Sequence, residues 1–204
     1  MSNKYFFIPL LFILLASCSN HSNQNKKSDL KETNFKEVNI EFLERELLIP
    51  ESYSLISPEM LENKLKESTT ESKLLKYIES NMNKLKGLPY EFVLYADKNN
   101  INNIILIQSS DYIPLNENLS NKYFEFLDMQ MKNEKSIPEI TFTKIETQFI
   151  TTATANAIKA KYLQELDGIK KYLTQYIVTS DRKTFGIVSG NFENIDFDEI
   201  INEI

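Results

Sequence analysis

The chain has 204 residues, of which 42% are hydrophobic, 25% charged and 11% aromatic, the balance of one globular domain and not of a disordered or fibrous chain. Four glycines and six prolines exclude collagen-like repeats and leave too little glycine for the phosphate-cradling loops of nucleotide-binding folds. A net charge of -6 supplies no basic field for a polyanion, so nucleic acid is not an expected partner.

The amino terminus reads MSNKYFFIPLLFILLASCSN, with Lys4 ahead of the uncharged stretch Tyr5 to Ser17 and small residues ahead of Cys18. That pattern is a secretory signal. As a helix the stretch reaches only about 20 Å, against about 30 Å of hydrocarbon core, too short for a permanent span. Leu15, Ala16, Ser17 and Cys18 resemble the lipobox of bacterial lipoproteins. The resemblance implies cleavage after Ser17, acylation of the Cys18 thiol, and a mature chain anchored to a membrane without crossing it. By analogy with lipoprotein sorting in Gram-negative bacteria, Ser19 in place of aspartate implies passage to the outer membrane, facing the periplasm. Cleavage would leave 22 Lys and Arg against 29 Asp and Glu, a charge of -7. Lipidation would also use the only cysteine, so the exported domain must be held by its core without a disulfide.

Residues 18–37 carry the lipidated cysteine and a polar tether, SNHSNQNKKSDLKETNFK, with too few large apolar side chains for a core. The globular domain is expected over residues 38–204. Val38, Ile40 and Phe42 alternate with polar neighbours and Leu47 to Ile49 run into Pro50, predicting two strands or a bent hairpin. Ser57 before Pro58 predicts a helix start. A stronger helix is expected from Glu71 to Lys86, with Ile78, Met82 and Leu85 on one face and Gly87 as its stop. Glu91 to Ala96 and Ile104 to Gln108 are short apolar runs around an asparagine-rich turn, predicting a hairpin near the centre of a sheet. Ser120 is placed to cap a helix extending to Glu134, with Phe124, Leu127 and Met131 at helical spacing. Ile140 to Ile150 is rich in threonine and β-branched residues, and Ile158 to Leu166 and Ile169 to Val178 flank the hairpin signal Asp167-Gly168. That turn sets Leu166 opposite Ile169, Tyr162 opposite Leu173 and Ile158 opposite Ile177, with Glu165 meeting Lys170 on the other face. A turn at Ser180 to Lys183 leads to a strand over Thr184 to Ser189, and a terminal helix is expected from Asp196, where Asp196 and Glu199 have capping-box spacing.

This order predicts an α+β domain, an antiparallel β-sheet flanked by helices. Together with the IPESY turn and the late TFGIVS strand before a final acidic helix, it resembles the PsbP-like α/β/α sandwich of photosystem extrinsic and periplasmic proteins. The resemblance implies an assembly factor or interaction module and names no reaction.

His21, the only histidine, lies in the tether. Without a second histidine or a free thiol the domain lacks the histidine-based triad, the cysteine-histidine pair and the usual zinc ligands. No catalytic or metal-ligating residue and no cofactor is expected. Glu193, Asp196, Asp198 and Glu199 form the densest acidic cluster, which a helix amino terminus explains through its dipole, and Asp97, Asn99, Asn102 and Asn103 suit a hairpin turn. Tyr162, Tyr172 and Tyr176 fall on adjacent strands, Tyr162 facing away from the other two. They are a candidate aromatic partner surface unless helices cover both faces and pack them. The expected function is a lipid-anchored envelope protein that binds another envelope protein non-enzymatically. The alternatives are a carboxylate-dependent envelope hydrolase, which needs two acids converging in a pocket, and a small-ligand carrier, which needs a cavity.

Overall fold

A computed structural model of the chain describes residues 34–67, 72–133, 140–166, 168–195 and 197–204. Strands β1 (Phe35–Ile40) and β2 (Arg45–Pro50) form an antiparallel hairpin through a 3-10 turn, with Val38 opposite Leu47. Phe35, Lys36 and Glu37, expected in the tether, therefore belong to the fold, pairing with Pro50, Ile49 and Leu48. Next come β3 (Tyr53–Leu55), α1 (Pro58–Glu67) and α2 (Ser72–Lys86). The Ser57 hydroxyl accepts the Met60 N–H at 3.2 Å, the cap that its position before Pro58 predicts. Gly87 follows α2 without a left-handed φ, and its N–H bonds Asn83 O at 3.0 Å, so the stop is not the left-handed cap expected of a glycine.

Strands β4 (Phe92–Asp97) and β5 (Ile104–Ser110) form the expected hairpin. Within its turn Asp97 Oδ1 accepts the Asn99 N–H at 3.0 Å, and the turn is tied to the segment after Asn191 by Asn103 Oδ1, which accepts the Phe192 N–H at 3.0 Å. Helix α3 (Glu117–Asn133) begins four residues before the start that a cap at Ser120 predicts. Asn116 is its cap, accepting the Leu119 N–H at 3.0 Å, whereas the Ser120 hydroxyl lies inside the first turn and donates to Glu117 O at 2.7 Å. The apolar spacing of Phe124, Leu127 and Met131 sets the face of this helix but not its first residue, and either polar side chain could have started it.

Four long strands follow: β6 (Thr141–Thr151), β7 (Ala155–Leu166), β8 (Ile169–Ser180) and β9 (Lys183–Asn191). The β7–β8 register is the one read from the sequence, with Gly168 at φ 79 and Lys170 3.9 Å from Glu165. Asp167 lies outside the described residues. Asp181 and Arg182 turn β8 into β9 with φ of 50 and 61, the doubly left-handed geometry that suits strand twist even without glycine. The chain ends in α4 (Asp198–Asn202), where Phe197 occupies the cap position with no side-chain bond. Asp196, the expected cap, is outside the described residues.

Strands β3 to β9 form one seven-stranded sheet in the order β3-β4-β5-β9-β8-β7-β6, every neighbouring pair antiparallel. On one face α1 and α2 lay Leu61, Leu65, Ile78, Met82 and Leu85 over Leu94 and Leu106, and α3 lays Leu127 and Met131 over Ala160 and Tyr162. On the other face the β1–β2 hairpin and α4 bury Ile40, Leu47, Ile49, Ile200 and Ile201 against a sheet surface that includes Ile105, Tyr176, Val178 and Ile187. Each buried leucine or isoleucine contributes about 2 kcal/mol, so both faces are needed to hold a sheet of this width. The hairpin is also tied at its tip: Arg45 Nη2 meets Asp181 at 3.0 Å and Lys183 Nζ meets Glu44 at 2.6 Å. The domain is thus α+β, an antiparallel sheet flanked by helices, with a two-stranded hairpin sharing the second face.

Candidate functional site

A cleft of about 310 Å³ opens between α3 and β6, lined by Asp128, Met131, Lys132, Phe142, Lys144 and Tyr162. Asp128, Met131 and Lys132 are spaced i, i+3 and i+4, which puts them on one face of α3. Phe142 and Lys144 are two apart on β6, so they share a side of the strand, and Lys144 is the cross-strand partner of Tyr162 on β7. Lys144 Nζ donates to Asp128 Oδ2 at 2.5 Å and the Tyr162 hydroxyl to Oδ1 at 2.8 Å. Burial alone raises the Asp128 pKa, but these two bonds together with the charges of Lys144 and Lys132 outweigh it and hold the carboxyl below the usual range. Tyr162 shifts the other way, pushed up first by burial and then by its bond to the Asp128 carboxylate.

β6 is the outer strand of the sheet, and none of its eleven residues is buried. Its pairing with β7 slips between Lys144 and Glu146, where Ile145 has no partner in the register and is 46% exposed. The opposite edge, β3, is only three residues long.

On the other face Lys159, 1% exposed, bonds Asp198 of α4 at 2.7 Å and Glu146 of β6 at 3.1 Å. The Tyr176 hydroxyl donates to the second Asp198 oxygen at 2.7 Å. These two partly exposed carboxylates converge on a buried lysine, and the Asp198 pair ties α4 to the sheet. The cleft between α3 and β6 is lined by one carboxylate, Asp128. Among the described residues no group of three or more His, Cys, Asp or Glu side chains is placed to hold a metal ion.

Cys18, the lipobox residues Leu15, Ala16 and Ser17, and His21 lie outside the described residues. Tyr162 and Tyr176 are 3% and 1% exposed, beneath α3 and against the hairpin-α4 layer respectively, and Tyr172 is half-buried. Tyr162 and Tyr176 are therefore packed under the two covered faces and do not join the half-buried Tyr172 in an exposed aromatic surface. Asp128, Lys132 and Lys144 carry no site signature in the sequence. Their only local signal is the i, i+4 spacing on α3, which many exposed helices share. Among the described residues no helix is long and apolar enough to cross a membrane.

No family model matches the chain, and no curated protein matches it. Among solved structures it is similar to the solution structure of cyanobacterial PsbP (CyanoP) from Synechocystis sp. PCC 6803, with a TM-score of 0.46 and 6% identity over 81% of this chain and 85% of that one. The likeness transfers no residue role, and the α+β class rests on the strand order and covered faces of this chain itself.

Proposed function

We propose that the protein is a lipid-anchored component of the bacterial cell envelope, held at the outer membrane through Cys18 and facing the periplasm. There it acts non-enzymatically as a protein-binding or assembly module, and its partner docks along the outer edge of β6. The observation that carries this reading is the length and exposure of that edge: eleven residues, none buried, at the end of a seven-stranded sheet. An unpaired edge presents backbone N–H and C=O groups to any extended segment, the basis of strand addition. The slipped pairing around Ile145 and the flanking Lys144 and Glu146 discourage indiscriminate self-pairing while leaving the edge open.

Crosslinking in intact cells, followed by mass spectrometry of the captured proteins, tests the reading. A reproducible partner whose crosslink is lost in Ile145→Lys supports it, because an added cation on an exposed edge opposes strand addition yet changes stability by no more than about 0.5 kcal/mol. Crosslinking undiminished in Ile145→Lys rejects the β6 edge. Cys18→Ser should abolish lipid labelling and membrane fractionation, and retention of both would overturn the anchor.

A further inference from the structure

We propose that the cleft between α3 and β6 binds a small organic anion with a short apolar tail, a medium-chain carboxylate being the simplest member of the class. Its volume of about 310 Å³ lies at the lower end of the range for small-molecule sites. Two cations, Lys132 and Lys144, face one carboxylate, Asp128, so the lining carries an excess positive charge. Both oxygens of Asp128 already accept a hydrogen bond, one from Lys144 and one from Tyr162, and the carboxyl is held ionised. It is therefore poorly placed to attract a ligand cation and well placed to fix the Lys144 ammonium at the mouth. An ammonium has three N–H donors and Lys144 spends one on Asp128, while Lys132 acts on Asp128 through its charge without donating to it. Donors thus remain for an incoming anion.

Met131, Phe142 and the Tyr162 ring complete the lining. Met131, 8% exposed, and Phe142 offer a thioether and a ring that adapt to a short alkyl chain. The arrangement matches an anionic head held between Lys132 and Lys144 with its tail on Met131 and Phe142. This site uses the side chains that β6 turns toward α3 and does not depend on the backbone edge proposed to dock a protein.

The Met131 methyl group reports on the cleft directly. In protein carrying 13C-labelled methionine methyls, titration with sodium octanoate should shift the Met131 resonance in a saturable way, and 1-octanol at the same concentrations should not reproduce it. Lys132→Gln, at an exposed position, should weaken the octanoate affinity about fivefold. An unchanged methyl resonance for the buried Met82 would show that this variant is folded. No saturable shift, an equal response to octanol, or an unaltered affinity in Lys132→Gln would each overturn the proposal. Crosslinking at the β6 edge is read separately, so either idea can fail without the other.

Discussion

Lys171 shows how far a single residue can depart from its surface chemistry. Its neighbour Lys170 is exposed beside Glu165, while Lys171, one residue on and hence on the other face of β8, is 3% exposed. Gly190 on β9 makes the room, since a Cβ there would come within 3.0 Å of Lys171 Cε. The Lys171 amine donates to Asn102 O at 2.5 Å and lies 5.6 Å from the centroid of the Phe192 ring. Burial pulls its pKa from 10.5 down to about 7. The unfolded chain keeps this proton up to about pH 10.5 and the folded chain only to about pH 7, so between those values the unfolded state binds more protons. Stability should therefore rise with pH from about 7 to 9.5, before the tyrosines titrate, and the full cost, at most about 5 kcal/mol, is present below pH 7. Lys171→Met should raise the thermal midpoint at pH 7 and flatten its slope between pH 7 and 9. A slope equal to that of the parent protein would show that Lys171 is not its source. Nothing in the adjacent pair Lys170-Lys171 distinguishes the two lysines. The alternation says they face opposite ways, and only the covering layers say which face is dry.

Helix α4 makes the same point for an element. Five residues are too few to be helical alone, since one turn fixes several dihedrals for a single hydrogen bond. It is held by burial of Phe197, Ile200 and Ile201 and by Asp198, whose two oxygens accept from Lys159 and Tyr176. Asp198→Ala should destabilise the protein by about 1–3 kcal/mol in urea melts, because it takes one carboxylate from a buried lysine and the acceptor from the Tyr176 hydroxyl. Amide exchange should speed up in α4 more than in β8. A loss below about 0.5 kcal/mol would mean that apolar burial alone holds the helix. The dipole explanation of the acidic cluster accounts for its position at a helix start, but Asp198 is chiefly an ion-pair and hydrogen-bond partner. The sequence could not show this, because Lys159 and Glu146 lie 39 and 52 residues away. The short strand β3 is hidden in the sequence for the same reason: Tyr53-Ser54-Leu55 has no periodicity of its own and becomes a strand only beside β4.

At the scale of the molecule, the described residues, from Asn34 onward, form hydrophobic clusters on both faces of the sheet. Hairpin, sheet and helices fill both faces without a disulfide. A chain comprising residues 34–204 should therefore fold with a stability within about 0.5 kcal/mol of one that begins at Cys18. A larger deficit in a denaturant melt would mean that residues 18–33 add to the core. What the chain spells out locally was legible beforehand: the α+β class, the amphipathic face of α2, and the β4–β5 and β7–β8 hairpins, the latter to the exact cross-strand partner. Such features follow from side-chain period and turn chemistry within about a dozen residues. The tertiary structure alone decided that β9 lies between β5 and β8, that β6 forms an outer edge, that Tyr162 and Tyr176 are packed, and that Asp128, Lys132 and Lys144 meet at a cleft. Those outcomes depend on contacts between residues distant in sequence, whose free energies compete across the whole chain and leave no mark in any short window of it.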